Sequence, residues 1–226
     1  ISNVSLKLRK GEILGVAGLM GCGKENLAKV IFGDVPITEG TITVGEQRIH
    51  SSIKKAVDAG IGYMPSDRRS EGILDTMTVG QNITVANMDH FVTGGFLDRA
   101  KENQCVSEYI ERLRIKTPSG NTLIVNLSGG NQQKAILARW LSRKPDIIIM
   151  EQPTRGIDVG AKQEIYRIMR DLANEGVSIL VISDEMPELI GLSNRILMMR
   201  RGMITGEIDC KKEVRLNEKH IIQHIT

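Results

Sequence analysis

Long apolar runs are missing from this sequence. The purest, Ile147 to Met150 and Ile179 to Ile182, are strand-length and far short of the ~20 residues that cross a bilayer. Cysteine is scarce: Cys22, Cys105 and Cys210 are odd in number, far apart and in no metal-binding spacing, which predicts a reducing, cytoplasmic setting. An excess of one charge is missing too. Thirty basic against twenty-seven acidic side chains leave a formal +3, too little for a nucleic-acid-binding stripe, so no nucleic-acid partner is expected. The sequence shows no repeat, no low-complexity segment and no signal peptide. Its first residues, Ile1 to Lys10, instead alternate like a strand. Opening on Ile inside that run, the chain is expected to be a piece of a longer polypeptide. The 226 residues are 41% apolar and 25% charged, which is globular usage and predicts one domain with room for a small subdomain.

Short β-rich runs alternate with amphipathic stretches. Strands are expected at Glu12–Ala17, Thr41–Val44, Ile61–Met64, Asp146–Met150, Ser178–Ile182, Arg195–Met199 and Ile204–Ile208. Helices are expected at Lys24–Phe32, Ser52–Ala59, Val79–Ala86, Ala100–Leu113, Gly130–Leu141, Val159–Ala173 and Met186–Leu192. This alternation predicts an α/β fold with a largely parallel sheet. The stretch from Ser66 to Pro118 lacks clear strands and predicts a helical subdomain, extended to about 66–142 by the helix that follows.

Three segments carry chemistry. Gly18-Leu19-Met20-Gly21-Cys22-Gly23-Lys24 follows a strand and opens a helix. Glycines let backbone N–H groups close around phosphate oxygens, the helix N-terminus adds its dipole, and the lysine reaches the β- and γ-phosphates. Asn126-Leu127-Ser128-Gly129-Gly130-Asn131 also opens a helix with small residues that leave N–H groups free for an anion. The run Ile147 to Met150 ends in Glu151 and Gln152, as a buried strand does when it brings a carboxylate to a Mg²⁺ shell. Each has a plainer reading alone: a Gly-rich turn, a helix cap, a strand ending in a solvated Glu. Their order along the chain makes those readings poor together.

These residues together resemble the nucleotide-binding domain of an ATP-binding cassette (ABC) transporter, over essentially the whole chain. Gly18 to Lys24 looks like the Walker A loop, Leu127 to Asn131 the signature motif, and Ile147 to Gln152 the Walker B strand. Pro153 to Lys162 and Ile182 to Glu188 are similar to the second cassette of tandem ATPases that drive bacterial import of ribose, galactose and related sugars. The resemblance implies a P-loop NTPase fold: a core parallel sheet, an antiparallel β part and the helical subdomain, all within 1–226. It implies ATP and Mg²⁺ as cofactors. Gly18 to Lys24 with Glu25 and Asn26 would hold nucleotide, as would Ser128, Gly129, Gly130 and Asn131. Glu25, Glu151 and Ser66 would lie at the metal. Two such cassettes close head to tail, each nucleotide lying between one Walker A and the other signature. The implied partners are a second cassette fused ahead of this one, transmembrane permease subunits and, indirectly, a solute-binding protein. The implied location is the cytoplasmic face of the membrane. In the middle section Met77, Phe91 and Phe96 are candidates for docking a permease helix, against a plain reading as surface or core residues.

Several positions depart from the family pattern. Glu25 replaces the Walker A hydroxyl, Glu151 the Walker B aspartate, Gln152 the general-base glutamate, Ser66 the glutamine ahead of the helical subdomain, and Asp184 the switch histidine. Ser128 to Gly130 and Asp158 are intact. The expected result is asymmetric: this cassette's own nucleotide is held but cleaved slowly or not at all, while its signature completes the partner's site. Besides a purely regulatory nucleotide sensor with no catalytic partner, two rivals stand beside it. One is a competent ATPase using Glu151 as base. The other is an ABC ATPase acting on nucleic acid, although about 100 residues between Lys24 and Ser128 leave no space for an arm insertion. Asp67-Arg68-Arg69 is either a nucleotide or partner contact or a solvated cluster. His220 and His224 read as a surface helix rather than a metal pair, and Cys22 as a small residue filling its loop.

Overall fold

Strands covered on both faces need nearly continuous apolar sequence, and the centre of this molecule is built from such segments. The computed structural model describes residues 1–210 and 218–225. Strand β1 (Ile13–Gly18) leads into helix α1 (Lys24–Phe32), then the hairpin β2 (Ile42–Val44) and β3 (Gln47–Ile49), α2 (Ile53–Asp58) and β4 (Ile61–Met64). The middle carries α3 (Val79–Thr84), the two-residue strands β5 (Val92–Thr93) and β6 (Phe96–Leu97), α4 (Arg99–Arg112) and α5 (Gly129–Leu141). The remainder is β7 (Ile147–Glu151), α6 (Val159–Asn174), β8 (Ser178–Ile182), α7 (Met186–Leu192), β9 (Arg195–Arg200), β10 (Met203–Asp209) and α8 (Glu218–Ile225).

Six strands form one sheet in the order β10-β9-β1-β8-β7-β4. β1 lies parallel to β8 and β9, and β7 parallel to β8, while β10 closes the edge antiparallel to β9. Leu14, Val16, Ile148, Ile149, Leu180, Val181, Ile196 and Met198 are fully or almost fully buried along these strands. Register places Val16 and Glu151 on either side of Ile182. The carboxyl ends of β1, β7 and β8 therefore come together, the edge of an α/β sheet where ligands bind.

Backbone proximity divides the chain into two compact units, Ile1–Tyr63, Asp146–Pro153 and Met169–Thr226 in the first, Met64–Pro145 and Thr154–Ile168 in the second. The first unit is locked by a buried ion pair. Arg195 donates through Nε and Nη2 to the two oxygens of Glu12 at 2.5 and 3.0 Å, and through Nη2 to the Lys7 carbonyl. In the second unit Thr78 and Gln81 form a reciprocal capping box at the start of α3. Arg139 on α5 donates to the carbonyls of Asn82 and Gly72, both at 2.8 Å, and to Asn82 Oδ1 at 2.9 Å. Burial pushes that guanidinium down to about 10.

Several expectations need correction. Ile1 to Lys10 is not a strand. Val4, Leu6 and Leu8 are half-buried between exposed neighbours, so the alternation is real, but the segment joins no ladder among the described residues. Alternation reports two faces, not a pairing partner. The strand β3 went unpredicted because Gln47 and Arg48 are exposed and polar. The hairpin turn, with Gly45 at φ +56°, sets its pairing instead. The middle stretch is not strand-free, since β5 and β6 form a small hairpin across Gly94-Gly95. Among the described residues no helix is long and apolar enough to cross a membrane.

Candidate functional site

The loop after β1 wraps tightly because its residues allow it. A Cβ on Gly18 would lie 2.4 Å from Cys22 Sγ and 2.7 Å from the Met199 carbonyl oxygen, so this position accepts no side chain. Gly23 at φ +102° turns the chain into α1. Cys22 is buried against Gly18, filling the loop as its size suggests. Leu19 and Met20 at the tip are exposed.

Lys24, the first residue of α1, is completely enclosed. Its Nζ donates to the carbonyl oxygens of Gly18 at 3.0 Å and Leu19 at 3.4 Å. It also meets two carboxylates, Glu25 Oε1 at 3.0 Å and Asp184 Oδ1 at 2.9 Å. Burial alone would push the Lys24 ammonium down. The hydrogen bonds it donates to Asp184 and then Glu25 outweigh burial and hold the ammonium above the ordinary lysine range. Glu25 is also helped by its place in the first turn of α1. The lysine of a phosphate loop is here paired with negative groups from its own chain.

The next strand ends supply the neighbours. Glu151, at the end of β7, is buried, and its Oε1 accepts from the Tyr63 hydroxyl at 2.9 Å. Tyr63 stacks on Phe32 of α1, ring centroids 4.8 Å apart. Gln152 adopts φ +46°, a left-handed conformation costly for a residue with a side chain. Its N–H donates to the Ile182 carbonyl at 2.7 Å, and its Oε1 accepts from the Asp184 N–H at 3.1 Å. The positions expected for base and switch are thus directly linked, and the switch position is tied to Lys24.

A divalent cation favours hard oxygen donors, which Glu25 and Glu151 offer. Both already hold partners, Lys24 and Tyr63, and among the described residues no three His, Cys, Asp or Glu side chains gather as a metal group. Mg²⁺ would fit with one or two of these carboxylates and with phosphate and water oxygens completing its shell. Ser66 belongs to the second unit, Glu25 and Glu151 to the first.

In the second unit Ser128 precedes α5 and caps it without a side-chain bond. Asn131 fixes Ser128 instead: its Nδ2 donates to Ser128 Oγ, and its Oδ1 accepts the Lys116 N–H, both at 2.9 Å. Gly130 sits where a Cβ would approach Ala161 to 2.7 Å, and Gly129 where one would meet Arg68. Asp158 accepts the Ala161 N–H at 2.9 Å and so caps α6. Leu127 to Asn131, Arg68 and Asp158 therefore share one unit. Within the Asp67–Arg69 cluster Asp67 and Arg69 are exposed, while Arg68 is half-buried and bonds across the unit. Phe91 corrects another expectation: it is buried, leaving Met77 at 36% and Phe96 at 81% exposure as the surface apolar pair. Of the two histidines, the His224 carbonyl accepts from Thr205 Oγ1, and the side chain of His220 lies outside the described residues.

A glycine loop on a parallel-sheet edge, with a lysine at a helix start, defines a P-loop α/β nucleotide cassette. The ABC transporter family matches residues 1–155, and the chain belongs to that family. It is 45% identical over 210 residues to the ribose import ATP-binding protein of Clostridium tetani, covering 92% of this chain and 42% of that protein. Identity to the xylose import ATP-binding protein of Photobacterium profundum is also 45%, over 92% of this chain and 41% of that one. The chain thus spans less than half the length of these relatives. In fold it is similar to a nucleotide-free ATP-binding cassette (TM-score 0.78, 21% identity, 98% of this chain and 87% of that one). It is also similar to an ABC cassette in its ADP conformation (TM-score 0.80, 21% identity, 97% and 89%).

Proposed function

We propose that this chain is an ATP-binding cassette that powers import of a sugar or related solute, gripping Mg–ATP in its own loop but cleaving it poorly. The relatives named for ribose and xylose import support the transport reading. Their length, more than twice that covered here, leaves room for a second cassette on the same polypeptide, which we take to be the catalytic partner. The helical subdomain is taken as about 66–142, and the cassette as a peripheral protein on the cytoplasmic membrane face. Permease subunits, and through them a solute-binding protein, complete the assembly, with no nucleic-acid partner.

The observation that carries the asymmetry is the pairing of Lys24 with Glu25 and Asp184, with Gln152 bonded behind Asp184. Nucleotide phosphate must displace those carboxylates before the loop amides and Lys24 can close on it. Bound Mg²⁺ would neutralise phosphate charge. Glu25 and Glu151 would be its protein ligands in this reading. Gln152 orients water through its amide but takes no proton, and loss of a general base removes about 10²–10⁴-fold of rate. Glu151 does not replace it: the residue is buried and the Tyr63 hydroxyl occupies one of its oxygens. Asp184 offers no imidazole to the γ-phosphate. Ser128, Gly129, Gly130 and Asn131, free of these substitutions, complete the partner's site.

Single-turnover hydrolysis by the purified cassette tests this. Nucleotide should bind, with cleavage near background; turnover tens of times above background, or no binding, refutes the reading.

A further inference from the structure

Arg68 opens a single π-helical turn, Arg68–Gly72, two residues beyond Ser66. Asp67 caps that turn, its Oδ1 accepting the N–H groups of Arg69 at 2.9 Å and Ser70 at 3.3 Å, which fixes where Arg68 points. The guanidinium reaches two separate stretches of chain through three acceptors. Nε donates to Gln132 Oε1 at 3.3 Å, Nη1 to the Arg155 carbonyl at 2.8 Å, and Nη2 to the Gly156 carbonyl at 3.1 Å. Gln132 is buried in α5 and passes the connection on, its Nε2 donating to the Ile124 carbonyl at 3.3 Å. The group also lies against the backbone of Gly129, where an added Cβ would sit 2.3 Å from Nη2 and 2.9 Å from Cζ.

We propose that Arg68 is a positioning residue for the nucleotide site that Ser128 and Gly129 complete. It sets the distance between the signature glycine and the Arg155-Gly156 segment that leads to Asp158. This rests on the reading that the signature serves a partner cassette. The geometry favours it because a forked, planar donor satisfies acceptors on two segments at once, which a lysine cannot do. It also gives Gly129 a reason to be glycine that helix formation does not supply. A signature packed against this group presents Ser128, itself fixed by Asn131, and the 155–158 segment in one register. Small displacements of such groups cost rate steeply.

The test uses the full-length ATPase assembled with its membrane subunits, measuring kcat, KM for ATP and thermal unfolding. Arg68→Ala should lower kcat about tenfold or more with the unfolding temperature little changed, and Arg68→Lys should recover only a minor part. Gly129→Ala should also lower kcat. Combined with Arg68→Ala it should cost little further in kcat while the unfolding temperature stays unchanged, because its Cβ no longer meets a guanidinium; a purely structural contact would move the unfolding temperature instead. If Arg68→Ala fails to assemble, the milder Arg68→Gln and the Gly129→Ala arm decide. Ser128→Arg is the control for the underlying reading. Loss of turnover there with Arg68 and Gly129 variants unchanged overturns the role of Arg68 alone. Unchanged turnover in Ser128→Arg overturns the signature reading itself.

Discussion

Asp184→Asn should tighten nucleotide binding. In the folded chain Asp184 Oδ1 lies 2.9 Å from the enclosed Lys24 ammonium, but its side chain is 46% exposed, so water screens the contact. Unit charges at 4 Å interact by about 4 kcal/mol at an effective dielectric of 20 and by about 1 kcal/mol in water. An exposed carboxylate belongs near the lower figure, so about 1 kcal/mol is lost each time phosphate replaces Asp184. Glu25, at 3.0 Å and 38% exposed, adds a similar term. Removing the Asp184 charge should therefore lower the Kd about fivefold, and removing both charges about 30-fold. The asparagine keeps the Asp184 N–H that Gln152 Oε1 accepts, so that link survives. Titration with a fluorescent ATP analogue in EDTA and again with Mg²⁺ separates the two carboxylates. Asp184→Asn should tighten binding in both, whereas Glu25→Gln should tighten it in EDTA and lose the gain with Mg²⁺. Unchanged or weaker binding by Asp184→Asn in EDTA refutes the idea that Lys24 must be released.

Three other outcomes follow from the same contacts. Gln152→Glu alone should raise single-turnover cleavage less than about tenfold, well short of the 10²–10⁴ a base ordinarily contributes, since Glu25 and Asp184 still surround Lys24. Arg139→Ala removes three hydrogen bonds in the second unit and should cost about 3 kcal/mol in chemical denaturation, with Arg139→Lys regaining at most one bond. Burial would push the Glu12 carboxyl up, but the Arg195 guanidinium and the Arg9 N–H outweigh it and hold it below its ordinary value of 4.5. A lowered carboxyl stabilises the fold fully above that value and loses the contribution as pH falls through the folded one. Acid unfolding monitored by circular dichroism should show this step in the native chain and lack it in Glu12→Gln, which is also less stable at neutral pH because the buried Arg195 then keeps only the half-exposed Glu207 as counter-charge.

The parallel core was legible because burial on both faces leaves a compositional trace. Ile147 to Met150 and Ser178 to Ile182 read as strands with no knowledge of their partners, and they pair as adjacent parallel strands. Where pairing rather than burial decides, the trace fades. Ile1 to Lys10 alternates yet finds no ladder among the described residues, and Gln47 to Ile49 is polar yet pairs because a two-residue turn delivers it to β2.

The site divides in the same way. Backbone chemistry was readable: a glycine that admits no Cβ, a lysine at a helix start and a signature opening α5 all follow from residue type and spacing. Side-chain partnerships across long sequence distances were not. Glu25 and Asp184 stood out as wrong residues for a phosphate site, but nothing in their spacing says that both would meet the same ammonium, 160 residues apart for Lys24 and Asp184. Arg68 was harder still, since one charge in an Asp-Arg-Arg run looks like any other until Gly129 and the 155–156 carbonyls close around it. The substitutions at this loop are therefore better understood as one electrostatic rearrangement than as separate losses. Each carboxylate opposes phosphate, and the two together on Lys24 leave the resting loop with an excess of negative charge that a metal-bearing nucleotide must displace. Reverting one residue should leave the others holding that arrangement, which is why a lone Gln152→Glu is expected to restore so little.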